Sequence, residues 1–181
     1  YKMRTPGRHW ARNSLAVLAA VDALGADLGL GALALGDLTP PSGRGRRHHV
    51  QGVDGEFTVI DDSYNASPPS VRAALEVLGG ADVVVGGRRI AVLGDMLELG
   101  ADADRLHTEL ASDLTANGVE RVFTCGKHMR RLFDALPMSL RGSHAETSGD
   151  LAPFVSRFIG PGDVVLIKGS FASSMGQIVE S

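Results

Sequence analysis

The amino-acid sequence predicts an α/β fold: a Rossmann-like, mainly parallel sheet with helices on both faces, preceded by a short helical segment. Short apolar runs typical of buried strands alternate with longer runs whose apolar residues recur at helical spacing. Parallel strands need long crossovers and covered faces, so this alternation favours a parallel sheet. The chain has 181 residues, 44% hydrophobic and 22% charged, so it can bury a sizeable core as one domain or one domain plus a fragment.

The first predicted elements are two helices followed by a linker. "WARNSLAVLAAVDALG", which begins at Trp10, has apolar residues at helical spacing and stops at Gly25, a residue type that often ends helices. "DLGLGALALG" predicts a shorter second helix, and the proline- and glycine-rich "DLTPPSGRGRR" is typical of a linker. We therefore place a boundary that separates residues 1–43 from residues 44–181.

The second segment opens with a predicted hairpin and continues with the alternating pattern. "RRHHVQGV" and "EFTVIDD" flank Asp54 and Gly55, a pair that suits a tight turn. The further predicted strands are "RIAVLG", "RVFTC", "DVVLIK" and, with a weaker pattern, "GSHAE". The predicted helices are "PPSVRAALEVLG", "DRLHTELASDLTANG", "KHMRRLFDAL", "LAPFVSRFIG" and "SSMGQIVE".

Several classes of protein and site lack sequence support. The single cysteine, Cys125, excludes an intrachain disulfide and favours a buried, inert thiol in a reducing cytoplasmic setting. No apolar run approaches the roughly 18 to 20 residues of a membrane span, and the net charge of -3 gives no overall attraction to nucleic acid. The motifs G-x-x-x-x-G-K-[ST], C-x-x-C, H-E-x-x-H and G-x-S-x-G are absent, so phosphate-loop, zinc and serine-hydrolase sites are not expected. The start of the chain resembles neither a natural N-terminus nor a helix cap, from which we expect a fragment of a longer protein.

Polar clusters follow four of the predicted strands. They are "DDSYNASPP", "GDMLELG", "CGKH" and "KGS". Because ligands of open parallel sheets bind at the carboxyl ends of the strands, we expect these clusters to line a common rim. Ser67 suits a helix cap and Pro69 the opening helical turn, which puts residues 61–65 between strand and helix. Carboxylates there suit ribose hydroxyls; the alternative is that these residues only shape the turn.

The other clusters also have a functional and a structural interpretation. Asp95 and Glu98 can hold an ammonium group or help position a metal, or they can be solvated loop acids. Lys168 and Ser170 can form a carboxylate site beside a helix amino terminus, or Lys168 can be a plain surface lysine. The residue types alone do not separate these interpretations.

The motifs and their order resemble the Mur ligase family, in particular its members that join D-alanyl-D-alanine to UDP-N-acetylmuramoyl-tripeptide. "DDSYNASPPSVRAAL" is similar to the family motif D-D-S-Y-N-A-x-P, "AVLGDMLELG" with His107 to L-G-D-M-x-E-L-G…H, and "LIKGS" to L-V-K-G-S. Upstream, "GRHWARNSLAVLAA" resembles a helix near the end of the family's ATP-binding domain, and "LTPPSGR" the stretch that joins that domain to the last one. The resemblance implies that residues 1–43 end a central ATP-binding domain and that residues 44–181 form the family's C-terminal domain.

The resemblance also implies roles for individual residues. The nucleotide-binding residues would be His9 and Asn13 at the adenine, Arg44 at a phosphate, and Asp62, Ser63, Tyr64 and Asn65 on the ribose side. The substrate-binding residues would be Asp95, Glu98, Lys168 and Ser170, the last two facing the incoming dipeptide. No catalytic residue and no metal ligand is assigned to this chain. The chain departs from the family pattern at Trp10, where Asn is usual, and at Phe171, where Arg is frequent.

The activity that the resemblance implies is ATP-driven amide formation. ATP phosphorylates the tripeptide carboxylate, and the dipeptide amine attacks the resulting acyl phosphate through a tetrahedral intermediate. ATP and Mg²⁺ are the implied cofactors, with the magnesium ligands mainly in an upstream domain. The implied partners are the two substrates and the upstream central and N-terminal domains of the same chain. By itself the chain is expected to be inactive and cytoplasmic, with no nucleic-acid binding and no membrane insertion.

Two other interpretations fit the sequence less well. One is another Mur or folylpolyglutamate-type ligase, but the ligase that adds the third residue typically has Tyr-Ala-His-Thr-Pro where this chain has "SYNASP". The other, from a different class, is a non-catalytic Rossmann-like binding module. An upstream phosphate loop in the natural reading frame would favour a ligase.

Overall fold

The computed structural model describes all residues, 1–181, and the chain divides into two compact units, Tyr1–Pro41 and Ser42–Ser181. The first unit consists of two helices, α1 (Arg8–Ala23) and α2 (Leu28–Gly36), which confirms both predicted helices. Much of its apolar surface is uncovered: Leu15, Leu24, Leu30 and Leu33 are exposed. These two helices therefore leave several of their large apolar side chains uncovered, although Leu35 is buried.

The second unit is a six-stranded sheet with helices packed on it. The strands are β1 (Arg46–Gln51), β2 (Glu56–Asp62), β3 (Arg89–Gly94), β4 (Arg121–Cys125), β5 (Arg141–Ala145) and β6 (Val164–Lys168). The helices are α3 (Pro68–Gly79), α4 (Ala103–Ala116), α5 (Met129–Ala135), α6 (Ser148–Phe158) and the single turn α7 (Gly176–Val179). The predicted strands, including the weak candidate at β5, are all confirmed.

The strand order is β1-β2-β6-β3-β4-β5, and only the β1–β2 hairpin is antiparallel. Asp62 of β2 lies opposite Lys168 of β6, Leu93 of β3 lies opposite the same lysine, and Gly94 lies opposite Cys125 of β4. The carboxyl ends of the parallel strands therefore meet along one edge, which we call the rim. This confirms the predicted fold class, and it places the polar clusters that follow β2, β3, β4 and β6 along that edge.

Helices cover both faces of the sheet because apolar side chains point alternately to the two sides of each strand. On one face, α3, α4 and α5 contribute Leu75, Leu110 and Leu132 to a core with Ala91 and Leu93 of β3. On the other face, α6 and α7 contribute Leu151, Val155 and Ile178 to a core with Ile90 and Val92 of the same strand. The central strands are thus buried on both sides, as parallel strands require.

The last predicted helix, over "SSMGQIVE", is only partly formed. A 3₁₀ turn at Phe171–Ser173 is followed by Ser174 in the left-handed region, with φ 51°, and then by the single turn α7. The Ser173 hydroxyl donates to the Asp95 carbonyl at 3.2 Å, and Met175 is fully buried. These tertiary contacts fix the chain in a bent path, so the local helical pattern is overridden.

None of the helices combines the length and the hydropathy needed to cross a membrane.

Candidate functional site

The last two residues of β2 and the turn that joins it to α3, which together we call the crest (residues 61–67), form one part of the rim. Ser67 is the N-cap of α3 and Pro68 occupies its first turn, where the missing proline N–H costs nothing. The Ser67 N–H donates to the Ser70 hydroxyl at 2.8 Å, which fixes the start of the helix. As predicted, residues 63–65 lie between strand and helix, whereas Asp61 and Asp62 still pair with β6 as the last residues of β2.

Asp61 points into the protein and organises the crest. Its carboxylate accepts the Gly43 N–H at 2.7 Å and the Ser63 hydroxyl at 2.6 Å, and its side chain is buried. For Asp61 the turn-shaping alternative therefore describes what the side chain does. The hydroxyl of Ser63 belongs to the same hydrogen-bond network through its bond to Asp61.

Asp62 and Lys168 form the central ion pair of the rim. The Lys168 Nζ donates to Asp62 Oδ2 at 2.6 Å and to the Asn65 carbonyl oxygen at 2.8 Å. Only 3% of Lys168 is exposed, so the interpretation as a plain surface lysine is wrong. The Asp62 side chain is 23% exposed, and its carboxylate still reaches the rim surface.

Arg44, Tyr64 and Phe171 form a cationic and aromatic group on the outer side of the crest. The Arg44 guanidinium lies 4.1 Å from the centroid of the Tyr64 ring, and the centroids of Tyr64 and Phe171 are 6.0 Å apart. Tyr64 is 47% and Phe171 75% exposed, and Arg44 is exposed as well. Exposed aromatic rings beside a guanidinium suit a nucleotide, which presents both a flat ring and phosphates.

His9 and Asn13 lie in the first unit, one turn apart on α1, and both are exposed. The Trp10 ring centroid lies 5.8 Å from that of His9. The predicted adenine residues therefore share one face of a helix. Trp10, which departs from the family pattern, adds an aromatic surface beside them.

Asp95 caps a helix instead of facing solvent. Its carboxylate accepts the Met129 N–H at 2.7 Å and the His128 N–H at 3.2 Å, at the start of α5. It is 7% exposed, so the solvated-acid interpretation is wrong for Asp95, whereas Glu98 is exposed and fits it. The structure contains no group of three His, Cys, Asp or Glu residues that could hold a metal ion.

His107 is buried and joins α4 to the loop after β3. Its Nε2 accepts the Met96 N–H at 2.9 Å, so that nitrogen carries no proton, and Nδ1–H donates to the Ala103 carbonyl at 2.6 Å. Burial lowers the pKa of His107 below its usual value of 6.5. The motif histidine is therefore a neutral structural residue.

Ser170 is also buried and holds the same loop from the other side. Its hydroxyl accepts the Leu97 N–H at 2.9 Å, and its own N–H donates to the Asp95 carbonyl at 3.0 Å. Of the four predicted substrate-binding residues, Asp95, Lys168 and Ser170 thus have their polar atoms bonded within the protein. They shape the rim, and only Glu98 presents its side chain to solvent.

A cleft of about 520 Å³ lies beside these residues, between the loops that follow β3, β4, β5 and β6. Its charged lining includes Lys127 and Glu146, both exposed, and its floor includes Asp95 and Cys125. Burial raises the pKa of the Cys125 thiol to about 11, so this thiol is not a nucleophile at neutral pH. A cleft with an ammonium group and a carboxylate suits a small zwitterion.

Lys127 and Glu146 were missed by sequence reasoning. Both follow predicted strands, in "CGKH" and "GSHAE", and this position is the signal that could have found them. Every residue at the rim follows a strand, however, so this criterion identifies the loops of the site but does not single out individual side chains.

Comparison with known proteins gives a consistent result. The sequence family described as "Mur ligase, glutamate ligase domain" matches residues 45–171. The UDP-N-acetylmuramoyl-tripeptide--D-alanyl-D-alanine ligases of Rickettsia prowazekii and Escherichia coli are 33% and 32% identical to this chain, over 96% and 97% of it. The chain spans 37% of the length of each of these curated relatives.

Solved structures with the same fold include two ligases from other bacteria. MurF from Acinetobacter baumannii superposes with a TM-score of 0.82 at 26% identity, covering 98% of this chain and 38% of that one. MurF from Thermotoga maritima, solved in complex with ADP, superposes with a TM-score of 0.72 at 24% identity, covering 90% and 35%. The second likeness supports the fold alone.

Proposed function

The chain belongs to the Mur ligase family, and from this premise we propose that it is the C-terminal part of an ATP-dependent ligase that joins D-alanyl-D-alanine to UDP-N-acetylmuramoyl-tripeptide during peptidoglycan biosynthesis. The observation that carries the proposal is the rim. At the rim, the exposed Arg44 guanidinium and Tyr64 ring lie next to a cleft that suits a zwitterion. The relatives named above support the choice of substrates.

On the nucleotide side, Arg44 would meet a phosphate and the crest would meet the ribose. Tyr64 offers its ring, and the Asp62 carboxylate reaches the rim surface beside it. Ser63 and Asn65 contribute by holding the crest in shape, Ser63 through Asp61 and Asn65 through its carbonyl. His9 and Asn13 would hold the adenine from the preceding segment.

On the acceptor side, the dipeptide would lie in the cleft. Lys127 can meet its carboxylate and Glu146 its ammonium group, while Asp95 and Ser170 keep the surrounding loops in place. Glu98 lies on the exposed part of the loop after β3. The amine must lose its proton before it attacks, so a wholly buried ammonium pairing would oppose the reaction.

The reaction that follows is a transfer of the activated acyl group. The tripeptide carboxylate takes the terminal phosphoryl group of ATP and ADP forms; the dipeptide amine then attacks the acyl carbon, and inorganic phosphate leaves from the tetrahedral intermediate. The residues of this chain would close over the nucleotide and exclude water, which would otherwise hydrolyse the acyl phosphate. Because this chain offers no cluster of metal ligands, we place the Mg²⁺ that accompanies ATP on the preceding domain.

We also propose that residues 1–43 end that preceding, central domain. The support is the uncovered apolar surface of α1 and α2, which includes Leu15, Leu24 and Leu33, because a soluble domain normally covers such a patch. The free thiol of Cys125 is in keeping with a cytoplasmic setting.

The proposal is tested by a ligation assay of the full-length protein. ATP and UDP-N-acetylmuramoyl-tripeptide are supplied with a panel of dipeptides, and both ADP release and the product mass are measured. We expect ligation of D-alanyl-D-alanine in preference to L-alanyl-L-alanine. Preference for a single amino acid would indicate another ligase of the superfamily, and the absence of any turnover would indicate a binding module.

A further inference from the structure

The segment Lys168–Ser170 lies at the centre of the rim and makes bonds on two sides. β6 runs between β2 and β3, so its carboxyl end is flanked by the crest and by the loop after β3. Lys168 bonds to the crest, whereas Ser170 bonds to the Leu97 N–H and the Asp95 carbonyl in that loop. One short segment thus contacts both the nucleotide side and the acceptor side.

The crest accepts hydrogen bonds from two of the three N–H donors of Lys168. A buried ammonium group is costly unless it is paired and hydrogen-bonded. The pairing here comes from Asp62 Oδ2 and the Asn65 carbonyl, which are 106 and 103 residues away in sequence. A dipeptide carboxylate could reach Lys168 only after these bonds had broken and the crest had moved.

Close packing keeps the two halves of this segment in place. A Cβ atom at Gly169 would lie 2.6 Å from Met175 Cγ and 3.0 Å from Gly94 Cα, so only glycine fits between β3 and the buried methionine. Lys168 and Ser170 are therefore directed to opposite neighbours by a rigid link. We take the close packing at Gly169 as the reason that Lys168 bonds to the crest and Ser170 to the loop after β3.

We propose that Lys168 is a positioning residue for the nucleotide, which acts through Asp62 and the Asn65 carbonyl, and that Ser170 positions the acceptor-side loop. This inference rests on the proposed function, and it replaces the predicted contact between Lys168 and the dipeptide. Lys168 holds the crest carboxylate at the rim surface, so its loss weakens nucleotide binding and leaves the dipeptide cleft intact.

The test measures Michaelis constants of the full-length ligase separately for ATP and for D-alanyl-D-alanine. Lys168→Met is expected to raise the KM for ATP about tenfold, equal to about 1.4 kcal/mol, with less than about a twofold change for the dipeptide. Lys168→Arg keeps the charge and the donors and is expected to restore most of the ATP affinity. Ser170→Ala, the matched variant in the same segment, is expected to raise the KM for the dipeptide and not that for ATP.

A double variant shows whether Lys168 acts through Asp62. Asp62→Asn combined with Lys168→Met is expected to lose less ATP affinity than the sum of the two single losses, because both changes remove the Lys168–Asp62 bond, whereas the bond to the Asn65 carbonyl is lost only with Lys168. Additive losses, or an effect of Lys168→Met confined to the dipeptide, would overturn the inference. If circular dichroism shows that Lys168→Met does not fold, Lys168→Gln, which keeps a donor, takes its place.

The inference and the proposed function fail in different ways. If the wild-type protein ligates no dipeptide, the proposed function fails. ATP affinity measured by titration calorimetry on the same variants still tests Lys168: reduced ATP binding in Lys168→Met supports the positioning role, and unchanged binding overturns it.

Discussion

The Arg44 guanidinium lies over the Tyr64 ring, 4.1 Å from its centroid, at the entrance to the crest. The two residues come from the linker and from the β2–α3 turn, and the Tyr64 N–H donates to the Gly43 carbonyl at 3.0 Å. The backbone therefore holds the guanidinium and the ring together before any ligand arrives. Such preorganisation lowers the ordering cost of binding a nucleotide.

Arg44→Ala in the full-length protein is expected to raise the KM for ATP about tenfold, since a charge-assisted bond to phosphate is worth about 1.5 to 3 kcal/mol. The matched control is Arg157→Ala, because Arg157 is also exposed but lies on α6 in the groove beside the β1–β2 turn. Steady-state kinetics with varied ATP give the comparison. Equal effects of the two variants would contradict a phosphate contact by Arg44.

The chain 1–181 alone is expected neither to hydrolyse ATP nor to ligate. Its sequence has no G-x-x-x-x-G-K-[ST] loop to cradle a triphosphate. Phosphate release and product formation are measured on the purified chain, with the full-length protein as the positive control. Turnover that persists in the purified chain and is lost in Arg44→Ala would refute this expectation.

Cys125 is expected to resist thiol reagents in the native protein. Its pKa is raised from 9.0 to about 11, first by burial and then by nearby carboxylates. Two pKa units lower the thiolate fraction about a hundredfold at neutral pH, before steric protection is counted. Labelling with a chromogenic disulfide is compared in buffer and in denaturant, with Cys125→Ser as the blank; fast labelling in buffer would show the thiol to be accessible.

His107 is expected to make the folded state less stable as the pH falls below about 6.5. Its pKa is lowered in the folded state, chiefly by burial, so the unfolded chain binds more protons at mildly acidic pH. The contribution is complete above the unfolded pKa and is lost as the pH falls toward the folded pKa. The folded pKa of His144 is also lowered by burial, so the two histidines share the effect.

The measurement is the free energy of unfolding in urea between pH 8 and pH 5, for the wild type and for His107→Gln. Glutamine keeps one donor and one acceptor, so the variant is expected to fold and to show a shallower loss of stability with falling pH. An unchanged slope would mean that His107 is protonated in the native state or titrates alike in both states.

Gly126→Ala is expected to destabilise the chain by about 3 kcal/mol, because the added methyl group would overlap the Asp95 side chain and the backbone has a positive φ. Gly126 has φ 105°, and a Cβ atom there would lie 2.5 Å from Asp95 Cγ. Gly86→Ala is the matched control, because Gly86 has φ 91° and nothing within 4 Å of the added carbon. Its backbone cost is about 1 kcal/mol; similar losses for both variants in urea unfolding would show that Asp95 yields to the methyl group.

The fold class and the alignment of the polar clusters along one edge of the sheet followed from the sequence, because both depend on local patterns. Alternating strand and helix runs determine a parallel sheet, and polar clusters after β2, β3, β4 and β6 determine a rim at one edge. Even the weak strand at β5 was predicted. The helix predicted over "SSMGQIVE" forms only in part, because buried Met175 and the bond from Ser173 to Asp95 bend the chain there.

What each rim residue does was decided only by the tertiary structure. Lys168 and Asp62 are 106 residues apart, and nothing in either local sequence indicates that the lysine ammonium group pairs with this carboxylate. Asp95 likewise finds a partner in the N–H of Met129, 34 residues away at the start of α5. The direction in which a charged side chain points and the group to which it bonds depend on burial and on partners from distant parts of the chain. A local sequence pattern contains no information about burial or about such partners.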